Sequence, residues 1–207
     1  MKKINRGLNG RKDRFYKNDN ELWIYDALQK CANKTITASM FNSSNETYIS
    51  KYMRTPNLYV NEYFDKDHFK HYYKFTIVRD PLTRLISSFL FVFNNNFRYT
   101  VKDFENFIWE LEAFENFKYV NRHWAPMNSI LKWKDNSSYD FIGRFETLET
   151  DIRHIQKEIG VPEKIVTVNY HKTHSKEFLD DLKSSHNYKS IKRKIEDIYK
   201  EDYERFY

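Results

Sequence analysis

Between Tyr73 and Phe93 the chain changes period within three residues, and this switch constrains its fold more than any other feature. YKFTIV, Tyr73 to Val78, is a short apolar run rich in β-branched and aromatic residues, the composition of a buried strand. Arg79-Asp80-Pro81 follows, with an aspartate suited to cap a helix and a proline at the first helical position, where no N–H is needed. Leu82, Leu85, Ile86, Phe89, Leu90 and Phe93 then recur at helical spacing, which predicts an amphipathic helix with its apolar stripe on the sheet. A strand that feeds directly into a helix is the building unit of an α/β domain.

The rest of the chain repeats this alternation. ELWIYDAL, Glu21 to Leu28, reads as a buried strand running into the polar loop QKCANKT, and NLYVNEYF, Asn57 to Phe64, alternates as a second strand. Lys102 to Leu131 is helical and aromatic in character, with Trp109, Phe114 and Phe117 expected in the core. YDFIGRF, Tyr139 to Phe145, predicts another strand, and Leu148, Ile152, Ile155 and Ile159 a helix stopped by Gly160 and Pro162. Ile165 to Val168 is expected to be a last strand, and Ile191, Ile195 and Ile198 mark a terminal helix. Together these elements predict a three-layer α/β domain with a mainly parallel central sheet flanked by helices. With 207 residues and 40% hydrophobic content there is enough apolar mass for one core. The expected domain is 21–207. Residues 1–20, with seven Lys or Arg against two Asp, are read as a basic, mobile arm.

Composition removes several classes of function. A single cysteine, Cys31, allows neither an intramolecular disulfide nor a multi-thiolate zinc site, and it suits a reducing, cytoplasmic setting. The N-terminus has no apolar signal region, and the longest apolar stretch, Leu85 to Phe93, is broken by Ser87 and Ser88 and too short to span a bilayer. His171 and His174 lack further ligands, so no metal is expected. The net charge of +6 suggests an anionic ligand, whether nucleotide, nucleic acid or acidic glycan. The four glycines, Gly7, Gly10, Gly143 and Gly160, fit neither a GxxxxGK[ST] loop nor a GxGxxG turn, which argues against an ordinary nucleotide kinase or a dinucleotide-binding domain.

Ligands of open α/β sheets bind beyond the carboxyl ends of the strands. Two such segments place basic residues beside a helix start, where backbone N–H groups and the helix dipole favour an anion. One is Lys30-Cys31-Ala32-Asn33-Lys34-Thr35. The other is Arg79-Asp80-Pro81 with Ser87 two turns later.

These residues carry a family resemblance. FTIVRDPLTRLISSF resembles the 3′-phosphate segment of sulfotransferase family 2, roughly FxFVRDPxxRxxSxY, and KCANKTI resembles that family's 5′-phosphosulfate loop, roughly PKxAxTS. HWAP is similar to its HWxP element, YDFIGRFETLETD to its YDFIGKFExLxxD segment, and IYKEDYERFY to its ending YxxDFxxFxY. The five elements occur in the family's order from about Leu22 to Tyr207. Three positions depart from the pattern: Gln29 stands for the proline before the loop lysine, Lys34 for a threonine, and Phe89 for a tyrosine.

The resemblance implies the P-loop-like sulfotransferase fold and transfer of a sulfuryl group from 3′-phosphoadenosine 5′-phosphosulfate (PAPS) to a hydroxyl, on a carbohydrate in the first instance. It implies that Lys30 neutralises the leaving phosphate and that Thr35, with the loop N–H groups, holds the 5′-phosphate. Arg79 and Ser87 match the pair that grips the 3′-phosphate, and Lys172 and Thr173 lie in a loop that adjoins the nucleotide in the family. Asp80 and Arg84 are expected to be structural. In-line sulfuryl transfer depends on positioning and on cations where charge develops, so no metal is needed if Lys30 serves. The acceptor hydroxyl needs a base; the resemblance points first to His123 of HWAP and second to Glu62 after the second expected strand, and leaves other groups open. Trp124 is expected in the core, with sugar stacking as the alternative. Two rival functions stay open: a family member that binds PAPS without turnover, and a basic module stacking nucleic acid on its aromatics, although the expected partner is a hydroxyl acceptor and not a nucleic acid.

Overall fold

The computed structural model describes residues 15–18, 20–43, 69–93, 99–113, 119, 121–167 and 174–207. The expected strand Asn57–Phe64 with Glu62, the core candidates Phe114 and Phe117, and the residues Val168, His171, Lys172 and Thr173 lie outside them. Four strands are described: β1 (Phe15–Asn18), β2 (Trp23–Asp26), β3 (Tyr73–Val78) and β4 (Phe141–Arg144). The helices are α1 (Asn33–Met40), α2 (Pro81–Val92), α3 (Val101–Ala113), α4 (Met127–Ile130), α5 (Leu148–Glu158), α6 (Ser175–Ser184), α7 (Tyr188–Ile198) and α8 (Lys200–Phe206). They fall into two compact units, one carrying the sheet with α1 and α5, the other carrying α2 to α4 and α6 to α8.

In the sheet unit the strands lie in the order β1-β2-β3-β4, with β1 antiparallel to β2 and both other pairings parallel. The sheet is therefore mixed but mainly parallel. It begins at Phe15, inside the segment read from sequence as an arm. β1 is hard to see because only two of its four residues, Phe15 and Tyr16, are apolar. The connection to β2 is held by Asn18, whose Oδ1 accepts the N–H groups of Asn20 at 2.9 Å and Glu21 at 3.2 Å, a short polar turn of the kind asparagine favours.

One register row runs Tyr16↔Tyr25↔Phe75↔Phe141 across all four strands. Tyr16 stacks on Tyr25 at 5.7 Å and Tyr25 on Phe75 at 5.1 Å, contacts worth about 0.5–1.5 kcal/mol each beyond their burial. Ile36 and Met40 of α1 and Ile152 and Ile155 of α5 share this core. Gln156, fully buried, donates Nε2 to the carbonyls of Ser39 at 3.0 Å and Lys164 at 2.9 Å, while the Val166 N–H donates to Ser39 Oγ at 2.9 Å. The Val166 N–H is thus taken by a side chain, and residues 165–167 form no strand where one was expected.

β4 is shorter than the sequence suggested. Phe145–Thr147 turns as a 3-10 helix, and Asp151 accepts the Arg144 N–H at 2.6 Å and the Thr147 hydroxyl at 2.8 Å. α5 ends as read, with Gly160 at φ 74, a conformation glycine adopts without steric cost.

In the helical unit the stripe of α2 enters a core of helices, where the sequence reading set it against the sheet. Leu82, Leu85, Ile86 and Phe89 pack with Phe104 and Phe107 of α3, Phe178 and Leu182 of α6, and Ile191 and Ile195 of α7. Phe89 sits among the rings of Tyr99, Phe104 and Phe107 at 5.3, 5.2 and 5.4 Å. On α3 the buried face is Phe104, Phe107, Ile108 and Leu111, which turns Trp109 outward. Trp109 is 51% exposed and carries the Lys194 ammonium 3.6 Å from its ring centre, so it is not the core residue expected. The terminal helix is split at Tyr199, and α8 brings buried Asp202 to the start of α4, where it accepts the N–H groups of Met127 and Asn128, each at 2.7 Å. Burial raises the Asp202 pKa against the lowering effect of those two bonds. Among the described residues no helix is long and apolar enough to cross a membrane.

Gly143 gives a test of sheet packing. A Cβ there would lie 2.5 Å from Ile77 Cδ1 and 2.9 Å from Phe141 Cε1. Gly143→Ala is predicted to destabilise the protein by about 1–3 kcal/mol, read as a lower urea midpoint at unchanged slope.

Candidate functional site

The candidate residues of the sheet unit follow β2. Asp26, at its end, is buried and anchors it: its carboxylate accepts the Tyr139 hydroxyl at 2.7 Å and the Lys132 N–H at 2.8 Å, and its carbonyl accepts Thr76 Oγ1 of β3 at 2.8 Å. Ala27 and Leu28 continue buried, and the chain turns at Gln29–Lys30. Lys30 has φ 66 and Ala32 φ 59, with Cys31 between them buried and its thiol directed to the Gln29 carbonyl. Left-handed backbone at a non-glycine residue costs about 1–2 kcal/mol, and here two such residues stand one apart. Alternation of backbone hand turns successive N–H groups to one side, the arrangement that receives anions.

α1 starts at Asn33, and its first intrahelical bond runs from the Ile36 N–H to the Ala32 carbonyl at 3.0 Å. The N–H groups ahead of that bond, on Asn33, Lys34 and Thr35, have no acceptor within the helix. The helix start is tied to the sheet by Tyr25, whose hydroxyl donates to Asn33 Oδ1 at 2.6 Å. Burial pushes the Tyr25 pKa well above its ordinary value, which keeps that hydroxyl a donor. Lys30, Lys34 and Thr35 are all partly exposed.

In the helical unit Asp80 caps α2, accepting the Thr83 N–H at 2.9 Å, with the Tyr203 hydroxyl of α8 at 3.3 Å. Arg79, partly exposed, is steered by the bond from its Nε to Thr83 Oγ1 at 3.2 Å. Ser87 is 4% exposed and its hydroxyl makes no hydrogen bond among the described residues. Its neighbour Ser88 is engaged twice, with the Arg84 carbonyl at 2.8 Å and with the His123 carbonyl. Arg84 is structural, as expected, but what it pins is the HWAP turn: buried to 2%, it donates to the carbonyls of Ala125 at 2.9 Å and Arg122 at 3.1 Å.

That turn carries His123. Its ring stacks on Phe91 at 5.2 Å, and both its backbone N–H and its Nδ1 lie against Asn121 Oδ1, at 3.0 and 2.9 Å. Trp124 is buried to 1% and its carbonyl accepts the Tyr199 hydroxyl at 2.6 Å, which makes it core and removes it as a sugar platform. Neither Tyr25, Asn33 nor Asn121 was singled out from sequence for what it contacts. The only available signal was the Asn-x-His spacing. Among the described residues no group of three or more His, Cys, Asp or Glu could hold a metal ion. The His174 ring, exposed just ahead of α6, lies 3.8 Å from Glu177 in a weak pair.

Residues 13–207 match the Sulfotransferase family. The chain belongs to that family. Among curated proteins this sulfotransferase-family chain is 25% identical to carbohydrate sulfotransferase 14 of Danio rerio over 46% of its length and 32% of the relative's. It is 30% identical to carbohydrate sulfotransferase 9 of Homo sapiens over 50% of its length and 29% of the relative's. An uncharacterized protein of Archaeoglobus fulgidus is 29% identical over 47% of this chain and 75% of its own length. The matches thus span about a third of the carbohydrate sulfotransferases. No solved structure matches the chain significantly.

The turn before α1 yields a prediction specific to its backbone. Ala32→Val, which adds a β-branch at φ 59, is expected to cost about 2 kcal/mol or more, whereas Ala32→Gly relieves the strain and leaves the melting temperature unchanged or higher.

Proposed function

We propose that the chain transfers the sulfuryl group of PAPS to an acceptor hydroxyl, with a carbohydrate as the acceptor class. The observation that carries this reading is the glycine-free turn at Lys30 and Ala32, two left-handed residues immediately ahead of the α1 start. Strain of this kind persists where surrounding structure enforces it, and backbone N–H groups at a helix start beside a lysine suit a 5′-phosphosulfate. Membership of the family and the names of the carbohydrate sulfotransferases support the reaction class and the acceptor.

In this reading the N–H groups of residues 30–35 and the Thr35 hydroxyl hold the 5′-phosphate, with Cys31, Ala32, Asn33 and Lys34 contributing backbone or charge. The Lys30 ammonium neutralises the bridging oxygen as the S–O bond to the phosphate breaks. Arg79 and the buried Ser87 hydroxyl take the 3′-phosphate, and Lys172 and Thr173 are assigned to the nucleotide by resemblance alone. His123 accepts the proton of the acceptor hydroxyl, whose oxygen forms the new bond to sulfur. The products are the sulfate ester and 3′-phosphoadenosine 5′-phosphate (PAP). Glu62 is the alternative base. No step calls for a metal, and a cytoplasmic setting is part of the same reading, resting on the lone Cys31.

Labelled-sulfate transfer from PAPS to a panel of glycans tests the reaction. Lys30→Ala is predicted to lower kcat by about 10²–10³-fold with a smaller change in donor affinity. Arg79→Ala is predicted to lower affinity for PAP by about 10–100-fold in calorimetry, with little effect on nucleotides lacking the 3′-phosphate. An undiminished 3′-phosphate preference in Arg79→Ala would refute its assignment, and donor binding with no transfer to any acceptor would favour a non-catalytic nucleotide binder.

A further inference from the structure

We infer that Asn121 is a positioning residue that holds the His123 imidazole in its Nδ1–H tautomer and so leaves Nε2 as the basic atom. The N–H of His123 can only donate, and it points at Asn121 Oδ1 at 3.0 Å. That contact fixes the orientation of the amide, because an NH2 group there would set two donors against each other. The same oxygen faces His123 Nδ1 at 2.9 Å. An amide oxygen has two lone pairs and accepts both bonds, so Nδ1 must carry the proton. A neutral imidazole with Nδ1–H has its lone pair on Nε2.

The rest of the turn holds this arrangement in place. Ser88 of α2 donates to the His123 carbonyl, and the Phe91 ring lies nearly parallel to the imidazole, with 29° between planes. The preceding residue, Arg122, gives its carbonyl to buried Arg84. Main chain and ring are therefore both held, and the Asn121 contact is made to Nδ1. When Nε2 takes the acceptor's proton, the imidazolium keeps its Nδ1–H on Asn121 Oδ1, so the proton transfer needs no rearrangement around the ring.

The inference rests on His123 being the base, and the test separates the two. Nitrogen NMR of the histidine-labelled full chain reads the tautomer without any activity: wild type is expected to show a protonated Nδ1 and a bare Nε2. Asn121→Asp, which keeps an oxygen acceptor, retains that pattern and most of the turnover. Asn121→Leu loses it and is expected to lower kcat by about 10²-fold at unchanged KM for PAPS. A protonated Nε2 in resting wild type, or an unchanged tautomer in Asn121→Leu, overturns the inference. So does full turnover in Asn121→Leu with the tautomer shifted. Wild-type rates in His123→Ala would instead overturn the base assignment, while the NMR result on Asn121 would still stand.

Discussion

The parallel pairing of β2 with β3 is the constraint on which the rest of the structure depends. Its register, Trp23↔Tyr73, Ile24↔Lys74 and Tyr25↔Phe75, brings the carboxyl ends of both strands to one edge of the sheet. The stacked rings of Tyr16, Tyr25 and Phe75 fill the row beneath that edge, and Asp26 bonds to both Thr76 and Tyr139. From β2 the chain passes into the strained turn at Lys30 and Ala32; from β3 it passes directly into Arg79 and the α2 cap. Ligand sites of open α/β sheets arise at this edge because there the strands end and helix starts present unpaired N–H groups. The hydroxyl of Tyr25 on Asn33 links the two levels, since one side chain both fills the core and holds the α1 start.

A second theme is the use of buried polar side chains to shape irregular backbone. Arg84 gathers the carbonyls of the HWAP turn, Asp202 caps α4, and Gln156 with Ser39 takes up the segment after α5. Each satisfies groups that regular secondary structure would otherwise pair, which is why these segments can be buried without being helix or strand. Arg84 and Ser88, on successive turns of one helix, also hold the carbonyls of Arg122 and His123.

Local periodicity made much of this legible. The strand at Tyr73–Val78, the cap at Asp80, the helix from Pro81 and the stop at Gly160 were all readable because each is encoded within a few residues. What was missed depended on pairing and side-chain partners that the local pattern does not show. β1 pairs with β2 although half its residues are polar, and in 165–167 the Val166 N–H goes to the Ser39 side chain and not to a neighbouring strand. Residue type puts Trp109 in the core, whereas the helical stripe of α3 leaves it outside under Lys194. The candidate site was legible as motifs, but not as geometry. Nothing in KCANKTI announces that Lys30 and Ala32 adopt positive φ, because those conformations usually belong to glycine.

A crystal structure of the chain with PAP bound tests the account most directly. It should place the 5′-phosphate on the backbone N–H groups of residues 30–35 and the 3′-phosphate on the side chains of Arg79 and Ser87. A nucleotide bound at neither segment, or one whose 3′-phosphate is held without Arg79, would contradict it.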